Sequence, residues 1–208
     1  MKQIVCHGDS LTEGKDIEKP YRWPSLLQNA MGVELINTGI GGDTSAGLLG
    51  RFSTDVVARK PDLVILMAGT NDFWWDLPVN IVMANLFSMA SQAQYYEIAP
   101  VFGMPIPFIT DRVLKQSYSP PEAGYDRLLQ KLISLRNKLT VTAQENEIPI
   151  LDFYRLFVDS NHEIQTQLYL EDGLHANRQG QRLMAERAVS EIRKLFLFDA
   201  NVSTASPE

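Results

Sequence analysis

The chain has 208 residues, 45% of them hydrophobic and 21% charged, a composition suited to one globular domain with a sizeable core. Its 19 basic and 25 acidic residues give a net charge of −6, and no Lys/Arg cluster offsets it, so nucleic acid is not an expected partner. The single cysteine, Cys6, rules out an internal disulfide and a thiolate zinc cluster.

The first apolar run, Gln3–Cys6, reads as a strand, with Cys6 a small buried hydrophobe inside it. It follows Met1 almost at once, with no apolar leader, and no run is long enough to span a bilayer. The expectation is therefore a cytoplasmic protein with no integral membrane segment. His7 then reads as a strand-edge histidine with its hydrogen bonds satisfied, and Gly8-Asp9-Ser10-Leu11 as a turn. Such a turn puts the Ser10 hydroxyl at a strand's C-terminal edge, where ligands collect in open parallel sheets. Asp9 reads as a residue that shapes the turn.

A charged loop, Lys15–Pro20, precedes a helical repeat at Trp23, Leu26, Leu27 and Ala30, and a strand at Val33–Ile36. Asn37–Thr44 comes next and opens a helix. Its glycines expose backbone N–H groups at a helix N-terminus, where negative charge is favoured. The order Gly39-Ile40-Gly41-Gly42 departs from the dinucleotide fingerprint, and the chain holds no phosphate-loop motif and no Gly-x-Ser-x-Gly elbow. The third strand, Leu63–Met67, leads into Gly69-Thr70-Asn71-Asp72, which offers a side-chain amide.

Phe73-Trp74-Trp75 follow, and adjacent tryptophans cannot both face the core of one regular element. Helical stripes run through Val79–Ala90, Leu128–Leu139 and Leu183–Phe196; strands are expected at Ala99–Phe102 and Pro149–Leu151. Between them Gly103–Gly124 carries Pro105, Pro107, Pro120 and Pro121 and is too long for a plain connection. The alternation predicts an α/β fold: a three-layer α/β/α sandwich, flavodoxin-like, with a parallel sheet of about five strands. One domain is expected over residues 1–200, with a flexible tail over residues 201–208.

A serine hydroxyl needs a base, and the chain has three histidines, His7, His162 and His175. His162 lies in a polar run with Thr166 where a zinc helix would need a second histidine. His175 sits in a Gly-containing turn before the last helix, three residues after Asp172. Across a turn that spacing brings the carboxylate to Nδ1 and leaves Nε2 for a serine. The Asn37–Thr44 loop and Asn71 are candidate donors to an oxyanion.

These four segments, in this order and each after a strand, resemble the GDSL-type esterase/lipase family, also called SGNH hydrolases. Gly8–Leu11, Gly39–Asp43, Gly69–Asp72 and Asp172–His175 correspond to its four blocks, and the likeness covers nearly the whole chain. It implies a triad of Ser10, His175 and Asp172, and an oxyanion hole of the Ser10 N–H, the Gly42 N–H and the Asn71 amide. It also implies a small-molecule ester as substrate, with no metal and no organic cofactor. Small or medium acyl esters are the leading substrates, with a carbohydrate O-acetylester or an acyl thioester as alternatives. The non-enzymatic alternative is a flavodoxin-like module holding an anion or nucleotide in the Gly loop. The chain departs from the family pattern at Ala68 and Ala176, and neither change removes a chemical group.

Overall fold

A computed structural model describes residues 2–202 of the chain, with side chains placed up to residue 195. In chain order the elements are β1 (Gln3–Gly8), α1 (Ser10–Glu13), α2 (Trp23–Met31), β2 (Glu34–Asn37) and α3 (Ser45–Asp55). Then come β3 (Leu63–Met67), α4 (Thr70–Trp74), α5 (Val79–Tyr95), β4 (Ala99–Gly103), α6 (Thr110–Val113), α7 (Tyr125–Glu145), β5 (Ile150–Leu151) and α8 (Arg178–Val202).

The five strands form one all-parallel sheet in the order β2-β1-β3-β4-β5. This is the doubly wound α/β/α sandwich that the alternation predicts. Strand side chains point alternately to the two faces, and each face has its own core. Val5, Val64, Leu66 and Phe102 pack beneath α3, α5 and α7 through Leu48, Phe52, Leu86 and Leu132. Ile4, Cys6, Ile65 and Met67 pack beneath α2 and α8 through Trp23, Leu27, Met184 and Ile192. The central strand β3 is buried along its whole length, which explains its unbroken apolar run.

Chain order reverses direction between β1 and β3, so a crevice opens beyond the C-terminal ends of those strands. Register pairs Gly8 with Met67, which brings the turn after β1 level with the turn after β3. Several expected boundaries move: β1 runs on to Gly8, β4 runs on to Gly103 and β5 begins at Ile150. β2 starts one residue late, at Glu34, and α8 continues through Val202, since no Gly or Pro intervenes between Gly180 and Pro207 to stop it. The first two residues of the expected tail are thus helical, and residues 203–208 lie outside the described residues. Among the described residues no helix is long and apolar enough to cross a membrane.

Candidate active site

Ser10 begins α1, a single turn of helix directly after β1. Asp9 caps that turn: its Oδ1 accepts a hydrogen bond from the Leu11 N–H at 2.9 Å. Gly8 is required by space, because a Cβ there would lie 2.1 Å from Thr12 Oγ1 and 2.8 Å from the Met67 carbonyl. A tight strand-to-helix corner therefore sets the serine hydroxyl at the sheet edge.

The partner of Ser10 comes from a small loop between β5 and α8. Tyr169 and Ala176 bridge antiparallel, the Leu170 N–H donates to the His175 carbonyl at 2.8 Å, and the Gly173 N–H donates to the Leu170 carbonyl at 3.1 Å. Gly173 makes the turn at φ +70° and packs so closely against Arg112 that a Cβ would meet its side chain at 2.5 Å. Within the loop the Asp172 Oδ1 accepts from the N–H groups of Leu174 and His175, at 2.9 and 3.0 Å. The His175 Nδ1–H donates to Asp172 Oδ2 at 2.5 Å, and the Ser10 hydroxyl donates to Nε2 at 2.9 Å. Partial burial pushes the Asp172 carboxyl up, but the bonds from the His175 ring and backbone prevail and bring it down to about 2. The carboxylate is thus held ionised, and the tautomer it selects leaves Nε2 free to accept.

Gly41 and Gly42 line the same cleft as Ser10, Asn71 and His175. Gly42 sits at φ +79°, and among the described residues its N–H and that of Ser10 make no hydrogen bond. The Asn71 amide points to this edge from α4, with one N–H donated to the Asp43 carbonyl at 2.8 Å and the other to Asp9 Oδ2 at 3.3 Å. Of the residues that the sequence nominates, Ser10, Gly42, Asn71 and His175 therefore line one cleft, and Asp172 is joined to it through the His175 ring.

His7 lies apart from it. Its ring is buried under α3, where Nε2–H donates to the Leu48 carbonyl at 3.0 Å and Nδ1 lies 2.8 Å from Thr38 Oγ1. Burial, against the Leu48 bond and helped by nearby Arg51, lowers its pKa to about 4, so it is neutral and satisfied, as its sequence context suggests. His162 is exposed in a turn at φ +66° and takes no part in the cleft.

Two residues, Arg51 and Asp72, escape sequence reasoning, and the burial of a third, Asp9, does too. Arg51 on α3 reaches back to the Thr38 and Gly8 carbonyls at 2.7 and 3.0 Å and pairs with Asp43 and Asp55 at 2.8 and 2.5 Å. It ties the Gly loop to the end of β1. Asp72, fully buried, accepts the Ser45 hydroxyl at 2.6 Å and the Ser45 N–H, which pins the start of α3 to α4. Burial raises its pKa against those bonds. Asp9 is also buried, and burial lifts its carboxyl to about 7, against the Leu11 bond and with help from Asp72 and Asp43. The only available signal was a charge inside an otherwise amphipathic or turn segment.

The cleft encloses about 1100 Å³. Trp74 forms one wall, with its Nε1–H donated to the Ser119 carbonyl at 2.8 Å and its ring against the edges of Tyr118 and Tyr125. Trp75 faces solvent at the rim, 61% exposed, so the two tryptophans divide as the sequence requires. Tyr125 packs on Phe108 rather than lining the cleft. Lys15 crosses from the loop after α1 to the Tyr118 ring, 5.6 Å from its centroid. The Pro-rich segment is thus core over its first residues, and its later residues, Tyr118 to Glu122, wall the cleft.

A family model for GDSL-like lipases and acylhydrolases matches residues 6–183, a span that contains all five nominated residues. An arylesterase of Vibrio mimicus is 27% identical over 198 residues, 93% of this chain and 89% of the relative. The thioesterase 1/protease 1/lysophospholipase L1 of Escherichia coli strain K12 is 25% identical over 200 residues, 95% of this chain and 86% of its own. Among solved structures, the lipase/acylhydrolase of Enterococcus faecalis superposes with a TM-score of 0.75 at 26% identity, covering 93% of this chain and 96% of that one. With motif order, fold and whole-domain likeness in agreement, the chain belongs to the GDSL-like lipase/acylhydrolase family and is an ester-hydrolysing enzyme.

Proposed function

We propose that Ser10 is the nucleophile, His175 the general base and Asp172 its orienting carboxylate, in hydrolysis of small and medium acyl esters through an acyl-enzyme. The observation that carries this reading is the continuous relay from Ser10 Oγ to His175 Nε2, 2.9 Å, and from Nδ1 to Asp172, 2.5 Å. As Ser10 Oγ bonds to the ester carbonyl carbon, its proton passes to Nε2. The carbonyl oxygen becomes an oxyanion within reach of the Ser10 and Gly42 N–H groups and, once released, one N–H of Asn71. The imidazolium then protonates the departing alcohol, and a water molecule, deprotonated by the same nitrogen, hydrolyses the acyl-enzyme. The arylesterase relative supports an aromatic or otherwise flat leaving alcohol, and the Trp74 wall supplies an apolar surface for it.

Turnover of p-nitrophenyl acetate tests the assignment. Ser10→Ala and His175→Ala are each expected to fall to background while the thermal melt stays cooperative, and an organophosphate should label wild-type Ser10 with one equivalent. Near-normal turnover in either folded variant rules the relay out. A panel of esters of rising acyl length, beside acetylated sugars and an acyl thioester, ranks the substrate classes.

A further inference from the structure

One buried carboxyl at the site has no part in this chemistry. Asp9 is 1% exposed. Its Oδ1 is committed to the Leu11 N–H, and its Oδ2 faces Asn71 Nδ2 at 3.3 Å. The other Asn71 N–H goes to the Asp43 carbonyl at 2.8 Å. A carboxamide has two N–H donors and no more. Both are engaged inside the protein, so an oxyanion gains the Asn71 donor only by taking it from one of these acceptors. The longer bond, to Asp9, is the one to give way.

We propose that Asp9 is a positioning residue whose charge state governs this donor: the carboxylate withholds the Asn71 N–H from the tetrahedral intermediate, and the neutral acid releases it. The inference rests on the roles of Ser10 and Asn71 proposed above. A hydrogen bond to a buried carboxylate is roughly twice as strong as one between neutral groups. Breaking it leaves a buried charge with one donor fewer, whereas a protonated carboxyl carries no such penalty.

The surroundings of Asp9 make both states accessible near neutral pH. Asp72 faces it from α4 and Asp43 from the loop before α3, and both raise its pKa. Arg51, on α3, is engaged by Asp43 and Asp55, and His7 on β1 is neutral. His175 is engaged by Ser10 and Asp172. Among the described residues no cation donates to Asp9. Burial is the largest influence, and together they put the carboxyl at about 7.

The expected consequence is an alkaline limb in the pH dependence. The rate falls as Asp9 ionises. The test is kcat/KM for p-nitrophenyl acetate from about pH 5 to about pH 9, with spontaneous hydrolysis subtracted, in wild type, Asp9→Asn and Asn71→Ala. Wild type should lose about tenfold on the alkaline side, the size expected when one charged hydrogen bond must be broken. Asp9→Asn cannot ionise and should lack that limb; Asn71→Ala should start lower and also lack it. A wild-type limb in either variant overturns the proposal.

Because Asp9 caps α1, a readout independent of its replacement is also needed. In ¹⁵N-labelled wild type, the Asn71 side-chain amide resonances should titrate with the midpoint of the alkaline limb. A pH-independent Asn71 amide overturns the proposal even if Asp9→Asn fails to fold. Active Ser10→Ala would remove the underlying reading, whereas inactive Ser10→Ala with a flat Asn71 titration removes only the role of Asp9.

Discussion

Asp172 receives the imidazole Nδ1–H at 2.5 Å, and its other oxygen is saturated by the N–H groups of Leu174 and His175. That arrangement fixes one tautomer of His175, and Asp172→Asn tests it directly. The new amide would turn its oxygen to the two backbone N–H groups and its NH2 to the ring. Nδ1 must then accept, Nε2 carries the proton, and the base can no longer take one from Ser10. We expect kcat to fall about a thousandfold with KM little changed, the pattern of a lost transition-state role. A fall of less than tenfold would mean that Asp172 does not set the tautomer. This pair was legible because three residues across a Gly turn place a carboxylate at Nδ1 whatever the rest of the fold does. Asp9 was only half legible. Its capping role follows from Gly-Asp-Ser after a strand, but its second oxygen meets Asn71 through β1–β3 pairing, which no local pattern encodes.

At the level of elements, Arg51 shows how a helix face can serve a loop. Its guanidinium bridges the Thr38 and Gly8 carbonyls and two carboxylates, so α3 holds the Gly loop against the end of β1. Lysine keeps the charge but offers a single nitrogen, which cannot span four acceptors. Arg51→Lys should therefore lower stability by about 1–3 kcal/mol, the cost of leaving buried acceptors unpaired. It should also reduce kcat/KM, because the Gly42 N–H loses its fixed position. Denaturant melts and steady-state kinetics on the same preparation separate the two effects. A folded Arg51→Lys with wild-type kcat/KM would reduce Arg51 to a stabilising ion pair. The strands were legible as apolar runs, since burial on both faces leaves no alternation to misread. The helices were legible by their stripes but not by their ends. α7 extends from Tyr125 to Glu145 beyond the stripe Leu128–Leu139, because its terminal turns are polar. Arg51 was hidden for a related reason: a charged residue on an amphipathic helix reads as solvent-facing, and only the return of the loop over α3 encloses it.

Across the whole molecule, the parallel order β2-β1-β3-β4-β5 could be expected from alternation and right-handed crossovers, whereas the pairing of buried charges could not. Those charges shape the pH dependence of stability. His7 falls from an ordinary 6.5 to about 4 on folding, so between those values the unfolded chain binds more protons and stability rises with pH. Asp9 climbs from 3.8 to about 7, so across that range the folded chain binds more protons and stability falls with pH. Each shift amounts to roughly 3–4 kcal/mol over its full window, with opposite sign. Asp72, raised by burial, acts in the same direction as Asp9. Asp172, lowered to about 2, contributes stability lost only below 3.8, outside the shared window. Between about pH 5 and 6.5 the two main slopes offset, and the wild-type melting temperature should change little. Asp9→Asn removes one of them. Its melting temperature, whatever its absolute level, should rise with pH as His7 discharges, by about 3–5 °C per pH unit for a chain of this size. His7→Gln should show the reverse slope, driven by Asp9. Calorimetric scans at several pH values decide the matter. Parallel, flat curves in both variants would mean that neither buried group changes its proton affinity on folding; opposed slopes would make the flat wild-type curve a balance of two buried charges rather than an absence of linkage.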